Sequence, residues 1–423
     1  MLPLLFLINT AAAQEASGYL ENLIQVPIGV DGVPLTVVER ARPTFRAKLG
    51  DRTALVTTVD IALVQGRSTT SELERLVDEA GLAPTLAAAG IIWPSYQNEV
   101  LRIDRFQDAA IVDRLYLDLY RPKVDIRIGR QALNWGSAFM VNPTDPFPQV
   151  ILTEPWRNRA GVNAARFTVP FGDWNQSALV IATSDVFDEL RVVNRTTFVV
   201  GSVDLSVLGA WNQAFEEEEE LIEQASPLLG VDVRGTLGVG YWVEAAAHIK
   251  DLGRVASVYE EIAVGVDYSF PVLEGLVVTA QYYRSGRQAP AVDPLEQLSA
   301  GMSGTVASSS DPFAPFFSGE NYLMGAVNLG LSERLSAGVL HVQNLDDGSA
   351  LMVPTLGTTF GDRWSMSLAG QIPLSTWGDG GELNSPAQDL RLQVPTLDGT
   401  TADLNLNELV PRATFTLQTR FSI

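Results

Sequence analysis

Two histidines, His248 and His341, are the only imidazoles in the chain, and there is no cysteine. A hydrolytic triad would need one of them beside a nucleophile and an acid. The sequence has no G-x-S-x-G, no H-E-x-x-H and no phosphate-cradling G-x-x-x-x-G-K-[ST], so nothing in it demands an active site. Without Cys, neither disulfides nor thiolate metal sites can form. Trp377 to Glu382 and Asp346 to Gly348 resemble calcium loops only faintly and lack the alternating oxygen spacing of a dedicated site, so no metal or cofactor is expected.

The side chains that can do physical work are charged ones spaced two apart. Arg40, Arg42, Arg46 and Lys48 share one parity, opposite Ala41, Pro43, Phe45, Ala47 and Leu49. The same rule sets Arg114, Tyr116 and Asp118 against Leu115, Leu117 and Leu119, and Glu244 and His248 against Val243, Ala245 and Ile249. Glu261 and Asp267 alternate with Ile262, Val264 and Val266, and Arg420 with Phe421 and Ile423. Such alternation places one face in water and the other in an apolar medium.

The elements that hold these faces are segments of about ten residues, the length of a tilted strand crossing a bilayer. Tight turns at Gly50-Asp51, Arg121 to Lys123, Gly172-Asp173, Gly201-Ser202, Pro271 to Gly275, Ser332-Glu333 and Gly361-Asp362 alternate with long polar stretches near 66–110, 134–160, 213–227, 286–318 and 374–410. Short turns at one end and long loops at the other are the rhythm of an outer-membrane barrel. The fold expected is all-β: a transmembrane antiparallel up-and-down β-barrel of about 18 strands. Trp135, Trp156, Trp174, Trp211, Trp242, Tyr268, Tyr282 and Phe421 lie near strand ends and suit an interfacial aromatic girdle.

Residues 1–13 read as a signal peptide, an apolar run followed by Ala11-Ala12-Ala13, with the barrel over 14–423 and a helix-favouring segment near 70–90. With 50 acidic and 29 basic residues the formal charge is -21, which disfavours nucleic acid as a partner. The run Glu216 to Glu220 repels itself and suits a solvated external loop.

The stretch Asp125 to Gly136, containing Arg127, Arg130, Gln131 and Trp135, followed by Val141-Asn-Pro-Thr-Asp-Pro-Phe147 with Asp145, resembles a motif of Gram-negative outer-membrane porin-like barrels. The resemblance implies an outer-membrane location and a channel-like barrel, and it supplies no substrate. Arg130 falls on the apolar parity, where a lipid-facing guanidinium at mid-depth would cost about 2–4 kcal/mol. A bulge near Gly129 that turns it inward, or a place at the rim, is expected. From either, Arg130 would contact substrate or pin the loop through Asp145.

Taken literally, alternation builds a basic lumen wall from Arg40, Arg42, Arg46, Lys48, Arg52, Arg114, Arg127, Arg166, Arg412 and Arg420. An acidic wall of Asp204, Asp232, Glu244, Glu261 and Asp267 stands opposite. Two facing rows of opposite sign would set a transverse field that orients and filters solutes. The plainer alternative is that these charges pair with strand neighbours such as Asp60, Asp113, Asp118 and Asp125.

The reading is therefore a non-enzymatic channel for passive diffusion of small hydrophilic or amphipathic solutes, with a plugged docking barrel as the alternative. Its expected partners are outer-membrane lipid and lipopolysaccharide, the barrel-assembly machinery and small solutes. Whether it forms a homo-oligomer is left open.

Overall fold

The computed structural model describes residues 15–28, 35–66, 110–147, 159, 161–184, 189–214, 225–249, 258–286, 319–377, 383, 391–395, 401–405 and 412–423. The signal-peptide segment, the 70–90 segment, Trp156 and the Glu216 to Glu220 run lie outside the described residues.

Alternating sequence becomes strand wherever both faces find a medium that suits them. The strands are β1 (Glu15–Ile28), β2 (Thr36–Gly50), β3 (Thr53–Gly66), β4 (Ala110–Tyr120), β5 (Asp125–Gln131), β6 (Val162–Phe171), β7 (Asn175–Thr183), β8 (Glu189–Val200), β9 (Val203–Ala214) and β10 (Ala225–Thr236). They continue as β11 (Gly240–Ile249), β12 (Val258–Phe270), β13 (Leu276–Ser285), β14 (Asn321–Ser332), β15 (Leu335–Asn344), β16 (Ser349–Phe360), β17 (Trp364–Ser375) and, last, β20 (Ala413–Ser422). A separate hairpin, β18 (Arg391–Pro395) and β19 (Thr401–Asn405), lies between β17 and β20.

Each of the 18 long strands pairs antiparallel with its neighbours in the chain, and β1 pairs with both β2 and β20. The sheet therefore closes and has no free edge, the condition for a sheet in hydrocarbon. Eight connectors of two to five residues sit at one end; at the other, connectors run from four residues (345–348) to 43 (67–109). The segments read from alternation correspond strand for strand to this barrel.

Outward positions are apolar and exposed, as at Leu115, Ile128, Val207, Leu229, Val231, Val264, Val327 and Leu368. The outward charges are few. Glu39 lies near the long-loop end of β2, and Glu260 and Arg284 face each other at 3.7 Å at the same end of β12 and β13.

The aromatic girdle needs two corrections. Trp242 points inward, 4% exposed, and its indole N–H donates to Gln281 Oε1 at 3.0 Å. Trp135 lies in a loop, edge-on to Phe147 with centroids 5.2 Å apart. Trp174, Trp211, Tyr268 and Tyr282 are exposed, and Phe421 packs against Trp364. Arg52 also departs from its expected place on the wall, lying in the β2–β3 turn, while Arg412 precedes β20 and is exposed.

Candidate functional site

The inner surface between β6 and β15 is unlike a wet wall. Val180, Val193, Leu208, Leu228, Tyr283, Tyr322, Met324 and Val342 point inward and are buried. Inward apolar side chains lose the benefit of burial unless something covers them. The cover is the β5–β6 connector: Leu133 and Phe147 pack on Val180, Val193, Leu208 and Leu228, and Val141 packs on Tyr283, Tyr322, Met324 and Val342. The 134–160 stretch, expected as an external loop, thus folds into the barrel over 132–147, where residues 141–147 are all buried.

Polar groups fix this loop to the wall. Glu244 Oε1 accepts the amides of Ser137 and of Ala138, the latter at 2.7 Å, while Oε2 accepts the Thr144 amide at 3.1 Å and its hydroxyl at 2.8 Å. Asp232 accepts from the Ser137 hydroxyl and from Arg195 at 2.5 Å. Gln281 accepts the Phe139 amide at 2.7 Å, and Arg191 donates to the Pro146 carbonyl.

Within the loop, Asp145 accepts from Arg159 at 2.5 Å, from the Trp135 amide at 3.3 Å and from the Phe147 amide at 3.2 Å. Burial pushes the Asp145 carboxyl up to about 6, against the pull of the Arg159 guanidinium.

The loop returns to the sheet at a bulge. The β3–β4 register shifts at Thr58/Val59, so Asp113 and Arg114 both face inward. Asp113 binds Arg42, Arg114 at 2.8 Å and the Gly161 amide at 3.0 Å; Arg114 also donates to the Arg159 carbonyl.

Among the motif residues, Trp135 and Asp145 meet in the loop, and Gln131 is fully buried, donating to the Ala164 carbonyl at 3.0 Å. Gly129 has φ +122, and the next residue, Arg130, has its Nε buried and its Cγ beside Gly161, close to Arg114. The guanidinium that holds Asp145 is that of Arg159, a residue the sequence did not single out.

The expected basic wall occupies β20 and β1 to β6, and most of its members are paired. Arg40 sits between Glu21 (3.5 Å) and Asp60 (3.2 Å), Arg42 between Asp60 (3.8 Å) and Asp113. Arg127 binds Asp118 at 2.6 Å and lies 4.2 Å over the Tyr116 ring; Arg420 binds Glu21 at 2.6 Å and lies 4.2 Å over Tyr19. Arg46, Lys48 and Arg166 have no carboxylate within ion-pair distance among the described residues.

A cavity of about 280 Å³ opens on this wall between Tyr19, Arg42, Arg114, Tyr116 and Arg127. In register, Arg46 and Lys48 lie one and two rows toward the short-turn end, and Arg166 lies opposite Arg127.

The expected acidic wall is mostly covered. Asp232 and Glu244 hold the loop, and Glu261 accepts from Tyr283 at 2.6 Å and bonds His248 at 2.8 Å. Asp204 is exposed and Asp267 half-buried, both near the short-turn end. Three of the five acidic-wall carboxylates, Asp232, Glu244 and Glu261, are thus drawn to loop amides, hydroxyls, a guanidinium, a phenol and an imidazole, while Asp204 and Asp267 have no ion pair among the described residues. His248 also stacks on Tyr259 at 4.6 Å, and His341 sits on the outward parity of β15.

No protein-family model matches this sequence, and no curated protein matches it by sequence. Solved structures match in fold along nearly the whole chain. In fold the barrel is similar to those of outer-membrane porins. Pseudomonas aeruginosa OccK11 (OpdR) superposes with a TM-score of 0.53 at 10% identity, covering 96% of this chain and 95% of that one. OccK5 (OpdH) of the same organism gives 0.52 at 9% identity over 97% and 98%, and its OccK2 (OpdF) 0.51 at 9% over 97% and 98%. At such identities the likeness is one of architecture.

Proposed function

We propose that this chain is a channel in the outer membrane of a Gram-negative bacterium, passing small hydrophilic solutes by passive diffusion and favouring anions. The closed sheet with its apolar exterior supports the membrane setting, as does the fold shared with the Pseudomonas aeruginosa Occ proteins. The observation that carries the reading is the infolded loop. It engages Glu244, Asp232 and the apolar half of the lumen, leaving the arginine-lined half for solute.

On that half the charges do unequal work. A guanidinium already neutralised by a carboxylate contributes little to the field at a distance, so Arg46, Lys48 and Arg166 set the sign of the path. The cavity lining adds phenolic and hydroxyl groups, from Tyr19, Tyr116, Thr44 and Thr58, that replace part of a solute's hydration.

Reconstitution in planar bilayers tests the channel itself. Discrete conductance steps are expected; a closed trace under all conditions would reject the channel and favour a plugged barrel that serves as a docking platform.

A further inference from the structure

The eight short connectors separate into two contiguous arcs. Those joining β6–β7, β8–β9, β10–β11 and β12–β13 contain no Lys or Arg. Their tips carry Trp174 (78% exposed), Leu237 (77%) and Leu273 (67%), together with Val239 and Val272. The other four each carry at least one exposed cation: Arg52, Arg121 with Lys123, Arg334 and Arg363. Because sequence neighbours are spatial neighbours throughout the sheet, one side of this barrel end carries the exposed apolar tips, with Asp173 and Glu274 among them, and the other carries the exposed cations, three of them next to a carboxylate (Asp51, Glu333 and Asp362).

Turn tips that met only water would not need such side chains. Leu273 has φ 51, a conformation that glycine holds without strain and leucine rarely adopts, so the exposed isobutyl group is kept against the backbone's preference. The apolar tips also continue the outward rows of their own strands. Phe171 and Phe198 meet at 5.8 Å, Tyr268 and Phe270 at 4.6 Å, and Val200 is 70% exposed beside them.

We infer that the apolar arc is immersed in the inner leaflet of the membrane while the cationic arc reaches the lipid phosphates, so that the membrane boundary crosses this end of the barrel obliquely. Continuity with the lipid-facing surface selects lipid as the occupant, and aromatic and aliphatic tips suit the level just below the headgroups. Arg and Lys on the other arc suit anionic phosphates. The inference rests on the membrane setting proposed above.

With no cysteine in the chain, single labels are unambiguous. Nitroxides placed by Leu237→Cys, Leu273→Cys, Arg52→Cys and Arg363→Cys, with Leu229→Cys on the lipid-facing side of β10 as reference, would be compared in phosphatidylethanolamine–phosphatidylglycerol vesicles. Collision with oxygen should dominate at Leu237, Leu273 and Leu229, and collision with an aqueous nickel chelate at Arg52 and Arg363. If Leu229 is in lipid but all four turn labels are equally in water, the inference is overturned and the apolar arc is a surface for a soluble partner. If Leu229 itself is in water, the membrane setting fails first and the inference with it.

Discussion

A carboxylate facing a lumen either stays in water and acts on passing ions or is consumed by local donors. Glu244 is of the second kind: each of its oxygens takes two loop hydrogen bonds, every one charge-assisted. Asp145 is another case, and it has a pH consequence. Its carboxyl titrates near 6 when the loop is seated, above the ordinary 3.8, so the seated loop binds a proton more tightly than a released one. The corresponding stabilisation is complete below about pH 4 and is lost as pH rises through 6. Hydrogen exchange of the 133–147 amides should accordingly be slower at pH 5 than at pH 7.5 after correction for intrinsic rates, and Asp145→Asn should flatten that difference. An unchanged difference in the variant would remove Asp145 as its source.

At the scale of elements, strands were legible because hydrocarbon outside and water or protein inside impose a strict period of two. The loop was not, because a polar Asn-Pro-Thr-Asp-Pro stretch reads alike whether it meets water or a wall of partners. A signal did exist in Val180, Val193, Leu208 and Leu228, which sit on the inward parity of strands where water would not favour them. The bulge at Asp113 and Arg114 was equally hidden, since a single extra residue leaves no mark on a ten-residue pattern.

Gly129 shows the constraint that β5 does carry: a Cβ there would lie 2.1 Å from the Leu115 carbonyl oxygen, at φ +122. Gly129→Ala should cost about 1–3 kcal/mol from the dihedral alone. It should lower the yield of heat-modifiable folded barrel in detergent refolding. Gly50→Ala, with nothing within 4 Å, should refold like the parent. Equal yields for the two variants would contradict the close β4–β5 approach.

For the molecule as a whole, the division of the lumen is the organising fact. One half is apolar and acidic and is filled by the 132–147 loop; the other is lined by guanidinium groups and phenols and holds the cavity. The overall charge of -21 gives no hint of this, because in the channel proposed above selectivity would follow the few charges that face the path. Reversal potentials in a KCl gradient across a planar bilayer measure that directly. Chloride should be preferred by the parent protein, and the combined Arg46→Gln, Lys48→Gln, Arg166→Gln variant should lose most of the preference while keeping its conductance. A cation-preferring parent, or a triple variant with unchanged reversal potential, would contradict the account.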